Sequence, residues 1–355
     1  MKKLILVGLG LASGAMTVGA QAQSSVTIFG IVDGMVQHGS GSIGSRTRVA
    51  SGGINSSRLG FRGTEDLGGG LSASFWLEAG YSVDDGLGLG TNTNNQASGN
   101  AIAGLNGGQG LTFGRRSTVA LAHKSWGELR LGRDYVPTYW NVLYSDVFGN
   151  LASGHSLMNQ ASIIGVTAVR VANSVSYLSP NIAGFSLQAT HYRGENASNV
   201  PASDDGTGNS IRIGYSAKPF AFGLAMGRTE YLAGDARPLN AFAEYDFGVV
   251  RVVAGAARDK LGTLRGRSYA LGAVAPVGPG EFKVSYSSYE TSALGNPKST
   301  KIAVGYVHHL SKRTAAYTTF GRIRNSGGAA LAQNGATTAP NTSSNGYEFG
   351  IRHAF

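Results

Sequence analysis

The chain has 355 residues, of which 42% are hydrophobic and 14% charged, with a formal net charge of +10, 54 Gly, 9 Pro and no Cys. So much apolar content at so little charge excludes a disordered chain. The lack of a Gly-X-Y period excludes collagen, and the lack of cysteine excludes a disulfide-stapled secreted domain.

In chain order, MKKLILVGLGLASGAMTVGAQAQ comes first, with Lys2 and Lys3, an apolar run from Leu4 to Leu11, and an Ala20-Gln21-Ala22 site. That is the order of a secretory signal peptide, and the run is too short for a spanning helix. We therefore expect a signal peptide over 1–22 and one domain over 23–355. Losing Lys2 and Lys3 takes the charge from +10 to +8. A basic balance fits nucleic acid in general, but export to the periplasm directs this chain away from it.

After the leader the dominant pattern is period-2 alternation, beginning at SSVTIFGIVDGMV. GLSASFWLEAGYSV sets Leu71, Ala73, Phe75 and Leu77 on one face and Ser72, Ser74, Trp76 and Glu78 on the other. GELRLGRD sets Leu129 and Leu131 against Glu128 and Arg130. SIRIGYSAK, GEFKVSYSSY, KIAVGYVHH and the terminal NGYEFGIRHAF repeat the pattern, and no segment carries a 3.6-residue stripe.

Connections alternate in length. Short turns fall at 65–70, 124–127, 180–184, 217–219, 246–248, 276–280 and 309–312. Longer Gly/Asn/Ser-rich stretches fall near 38–52, 84–110, 136–170, 193–209, 231–238, 259–265, 290–299 and 324–346. Seven turns and eight loops join sixteen strands. The expected fold is all-β: a 16-stranded antiparallel transmembrane β-barrel with short periplasmic turns and long extracellular loops. In hydrocarbon every backbone N–H and C=O needs a partner, so the sheet must close. The last strand pairs with the first, and Phe355 sits at the interface as a barrel-closure and assembly signal. A soluble sandwich fails, because the other parity is rich in Ser, Gly, Thr, Arg, Lys and Glu, which a core could not bury unpaired.

From VTIFGIVDGMV through SSRLGFRGTEDLGGGLSASFWLE, RRSTVALAHKSWGELRLGRDY and VRVANSVSYLSPNIAGFSLQATHY to the terminal Phe, the chain resembles the general, non-specific porins of Gram-negative outer membranes. The resemblance implies a homotrimer and a third loop, here Val136 to about Val169, folded into the lumen as a constriction. An acid on that loop, Asp146, would face a wall of arginines at Arg58, Arg115 and Arg170. Alternation independently turns Arg58, Arg62, Arg170, Glu78, Glu128, Arg130 and Trp76 inward and puts Arg133 at the mouth. It turns Arg116 inward rather than Arg115, unless a bulge intervenes, so both stand as candidates. Two features depart from the family: Asp146 is the loop's one acid, and Ile31 stands where cation-preferring members carry a lining charge. One acid against several arginines implies mild anion preference.

No G-x-S-x-G, H-E-x-x-H or G-x-x-x-x-G-K-[ST] occurs, so no enzyme, cofactor or metal site is expected. His308 and His309 point to opposite faces. Asp84-Asp85 and Asp204-Asp205 sit in outward loops, where they could touch divalent ions bridging lipopolysaccharide. The alternatives are a substrate-specific anion or sugar channel, or an outer-membrane hydrolase using a lipid-facing His123, His191 or His353. The expected partners are small hydrophilic solutes and ions in transit, outer-membrane lipid and lipopolysaccharide, and the barrel assembly machinery at the terminal strand.

Overall fold

A computed structural model describes residues 25–92, 94–97 and 110–355. The expected leader, 1–22, lies outside the described residues. Strands β1 (Ser25–Ser40), β2 (Arg46–Ser51), β3 (Arg58–Gly68), β4 (Leu71–Gly80), β5 (Arg116–His123) and β6 (Gly127–Tyr135) precede the third loop. After it come β7 (Arg170–Leu178), β8 (Phe185–Tyr192), β9 (Gly208–Ala217), β10 (Phe220–Thr229), β11 (Ala236–Asp246) and β12 (Arg251–Leu261). The last are β13 (Leu264–Val277), β14 (Gly280–Thr291), β15 (Lys298–His309), β16 (Thr314–Ser326) and β17 (Ser344–Ala354).

Every pairing is antiparallel, and the sheet closes through β1 and β17, from Ile31 opposite Ala354 to Ser40 opposite Asn345. β2 and β3 are two halves of one barrel strand, because β1 pairs with both in succession. The seventeen segments thus make a closed barrel of sixteen strands.

The break between the halves would leave amides unpaired in the wall. The Asp33 carboxylate takes them up, accepting from Gly53 at 3.1 Å, Ile54 at 3.0 Å and Asn55 at 2.7 Å, and from the Tyr317 hydroxyl. Charge does therefore stand on the first strand, two residues beyond Ile31. It is fully buried and committed to the wall backbone.

Alternation holds along the strands. On β16, Tyr317, Thr319, Gly321, Ile323 and Asn325 are buried, while Thr318, Phe320, Arg322 and Arg324 are exposed. All seven short turns are where they were expected. The loops depart from expectation twice. The first loop spans only 41–45, and the stretch at 259–265 contracts to a two-residue turn at 262–263. Gly262, at φ +57, lets β12 and β13 run together past the membrane into that tight turn.

The third loop, 136–169, lies inside the lumen. It carries α1 (Pro137–Tyr144), α2 (Leu157–Gln160) and two single 3-10 turns. α1 packs on β9 to β12 and α2 on β13 to β15, while residues 152–154 reach β15 to β17. Val136, Tyr139, Val142 and Met158 form one apolar cluster with Val171, Tyr192, Ala257 and Ala270. Val147 and Phe148 form another with Val253, Val274 and Ala303. Much of the barrel's apolar packing is therefore between loop and wall.

At the seam, Phe355 N–H donates to the Gly30 carbonyl at 3.1 Å and Gly30 N–H returns a bond at 3.2 Å. The Phe355 ring occupies the space a Cβ on Gly30 would need. Gly30→Val is therefore expected to cost about 1–3 kcal/mol by overpacking, read as a lower urea midpoint of barrels folded in micelles. Phe355→Ala in the same background should restore part of the loss.

Candidate pore constriction

The inward faces of β3 to β7 bring most of the expected residues together. Glu78 is the hub: its carboxylate accepts from Arg58 Nη1 at 3.2 Å, Arg115 Nε at 2.6 Å and Trp76 Nε1 at 3.1 Å. The Trp76 ring lies within cation–π range of two guanidiniums, Arg62 at 5.0 Å and Arg116 at 4.6 Å. Phe29 on β1 supports the same ring edge-on at 5.1 Å.

Arg130 bridges Glu128 at 2.7 Å and Asp134 at 2.6 Å, and Arg116 also reaches Asp134 at 3.3 Å. The alternatives at 115 and 116 are both realised. Arg116 pairs with Glu78 in the ladder and so shares its inward face. Arg115 precedes the first residue of β5, escapes strict alternation, and swings its guanidinium onto Glu78.

Arg170 requires a correction to the parity count. Pairing between β6 and β7 jumps from Gly132–Ser174 to Asp134–Val171. The extra residue lies on β7, where Asn173 takes φ +51. Val171, not Arg170, therefore shares the inward face of Ser174. Arg170 joins the cluster from the strand's end, 4.3 Å over the Tyr135 ring, donating to the Tyr135 hydroxyl at 2.8 Å and to the Arg115 carbonyl at 2.8 Å.

Arg133 is tied to the second loop, donating to the Gly114 carbonyl at 2.6 Å and the Asn92 carbonyl at 2.8 Å. Arg115, Arg133 and Arg170 line a cavity of about 190 Å³ beneath that loop.

The expected loop acid is elsewhere. Asp146 is buried and accepts from the backbone amides of Phe148 at 2.8 Å, Asn150 at 3.0 Å and Ser156 at 2.7 Å. Burial pushes its carboxyl above the ordinary range, and the three amide bonds work against that rise. It staples the third loop to itself and is not presented to the arginines. The reason is local: a turn at 146–150, tightened by Gly149 at φ +69, aims successive N–H groups at one carboxylate.

What holds the loop across the lumen was not apparent in the chain order. Arg212 on β9 donates to Asn141 at 2.7 Å and lies 5.4 Å from the Tyr144 ring. Ser153 N–H donates to Glu348 on β17 at 2.9 Å. The buried ammonium of Lys301 on β15 donates to Gln160 at 3.1 Å and Gln333 at 3.3 Å. Gly321 permits the approach, since a Cβ there would collide with the Ser153 carbonyl. Arg212 alternates with Ile211 and Ile213 in SIRIGYSAK and so takes the polar parity; its partner 71 residues earlier carried no signal.

Among known proteins, a family model described as Gram-negative porin matches residues 9–328. Outer membrane porin protein 32 of Delftia acidovorans is 37% identical over 376 residues, spanning 100% of this chain and 99% of that one. A second outer membrane porin protein, from Bordetella pertussis, is 27% identical, over 89% of this chain and 93% of its own length. The structure of an anion-selective porin from Comamonas acidovorans superposes with a TM-score of 0.80 at 34% identity, covering 94% of this chain and 100% of that chain. OmpT of Vibrio cholerae, at 12% identity and a TM-score of 0.66, shares the fold.

Two outcomes follow from the loop's chemistry. Asp146→Asn should raise open-channel noise while moving the zero-current potential less than any wall-arginine substitution does; an acid facing the pore would instead shift it toward anions. The second concerns His155, which burial, aided by the charge of Lys301, holds at about 3, below the ordinary 6.5. Since the folded value lies below the unfolded one, the loop's stability is full above pH 6.5 and falls as the pH drops from there toward 3. The fall is up to about 1.4 kcal/mol per pH unit. Current flicker should grow on acidification below 6.5 and be blunted in His155→Gln.

Proposed function

The chain belongs to the Gram-negative porin family and is an outer-membrane channel for passive passage of small solutes, not an enzyme; from that premise we propose that its pore is mildly anion-selective. The supporting observation is the charge imbalance on the wall. Arg58, Arg115, Arg116 and Arg130 pair with Glu78, Glu128 and Asp134, while Arg62 and Arg170 rest on aromatic rings and Arg133 on carbonyls of the second loop, seven cations against three carboxylates. Moving Asp146 into the loop's own turn removes the acid that would have offset them.

The ion pairs do not cancel this field. Cations outnumber acids, and a narrow passage with low-dielectric walls focuses the excess. Its selectivity works at the mouth of the narrowing, where an entering anion replaces hydration with guanidinium contacts and a cation meets repulsion. Sharing carboxylates and aromatic faces holds the guanidiniums in place without a bound anion, so solutes can leave as readily as they enter. The likeness to a porin described as anion-selective agrees with this sign.

The same reading takes residues 1–22 as a leader removed on export and the protein as a homotrimer among outer-membrane lipids. It takes the strand ending in Phe355 as the segment recognised during barrel assembly.

The test is single-channel recording in a planar bilayer under a salt gradient. Arg58→Gln with Arg170→Gln should lower the anion-to-cation permeability ratio by about twofold near 0.1 M salt, where the screening length is about 10 Å. Near 1 M, where it is about 3 Å, the change should be much smaller. A ratio unmoved at low salt would refute the arginine assignment. Conductance that saturates with one phosphate or sugar would replace diffusion with a specific binding channel.

A further inference from the structure

At their extracellular ends, β11, β12 and β13 turn five cations to the outer surface of the wall. Arg237, Lys260 and Arg265 stand directly across from one another in the ladder. The next row toward the membrane sets Arg258 across from Arg267. All five are exposed, while the interleaved Ala236, Ala257, Gly266 and Ser268 are buried, so the cations lie on the lipid side.

Like charges directly opposed across strands are destabilising. Asp235 offsets Arg237 at 2.8 Å, yet no ion pair among the described residues includes Arg258, Lys260, Arg265 or Arg267. Asp259, between two of them in sequence, points to the other face and is held by Tyr289 at 2.8 Å and Ser162 at 2.9 Å. A groove of about 490 Å³ runs among these cations; the exposed acid on its lining, Glu290, stands across from Arg267 and pairs with Lys298 at 3.6 Å. On the same face Leu239 stands in the row of Arg258 and Arg267, and Tyr269 and Leu271 lie below it; all three are exposed and apolar.

We propose that this patch is a docking site for the phosphate groups of lipopolysaccharide, with its acyl chains lying on Leu239, Tyr269 and Leu271. The charge argues for a multiply anionic group, since one phosphate monoester carries about −1.5 to −2 at neutral pH and could engage two opposed cations at once. The apolar continuation argues for a lipid over a free ion, which would gain nothing from it. The height argues for the outer leaflet, because these rungs adjoin the loops on the side opposite the short turns. The inference rests on the barrel's orientation in the outer membrane and is independent of the pore's selectivity.

The experiment uses the full mature chain folded in detergent and titrated with bisphosphorylated lipid A, bound lipid being counted by native mass spectrometry. The variant combines Arg258→Gln, Lys260→Gln, Arg265→Gln and Arg267→Gln. It should bind at least about tenfold more weakly, and lipid A stripped of phosphate should bind wild type no better than the variant. Unchanged single-channel conductance of the variant shows that the barrel is intact. If the variant takes up little lipid and also fails to fold, the two row-wise pairs, Lys260→Gln with Arg265→Gln and Arg258→Gln with Arg267→Gln, are titrated separately, each expected to weaken binding. Equal affinity of folded variant and wild type would overturn the proposal. So would full displacement of lipid A by inorganic phosphate, which would make the patch a site for small anions.

Discussion

The rest of the structure depends on the rule that backbone polar groups inside hydrocarbon must find partners within the protein. It forces the ladder between β1 and β17 to close, so that the last strand of the chain finishes beside its own first strand. It also governs the break in the wall at 52–57, where Asp33 accepts the amides that the ladder no longer pairs. Hydrogen bonds to a charged group contribute about 1.5–3 kcal/mol each. A buried carboxylate is stable there only because several donors converge on it.

Closure then decides what the interior can be. A cylinder with lipid outside needs no apolar core, so its inner face is free to carry charge. One half of that face, β3 to β7, is occupied by arginines cross-linked through Glu78, Glu128 and Asp134. The other half, β9 to β17, is covered by the third loop, seated on small wall residues such as Ala257, Ala270, Ala303 and Gly321. The passage is bounded by two different materials: fixed cations on one side and a packed, internally hydrogen-bonded loop on the other.

Four buried acids outside the arginine cluster are spent on architecture. Asp33 ties the wall, Asp146 ties the third loop, Asp259 anchors Ser162 and Tyr289, and Glu348 anchors Ser153. Most arginines, in contrast, lie on the inner face of the wall or on its exposed outer surface. That division, more than the net charge of the chain, produces a basic lumen and a basic outer rim.

Period 2 by itself determined the strands, their inward and outward faces, the seven short turns and the barrel, because alternation is a local property of extended chain between water and lipid. It placed Arg58, Arg62, Trp76, Glu78, Arg116, Arg130 and Arg212 on the inner face. Tertiary structure decided what counting could not reach. A bulge at Asn173 offset Val171 against Arg170, and freedom past the strand's end let Arg115 reach Glu78. Convergent amides in one turn drew Asp146 away from the pore. Each of these turns on one residue's φ or on a partner distant in sequence, and neither leaves a periodic trace.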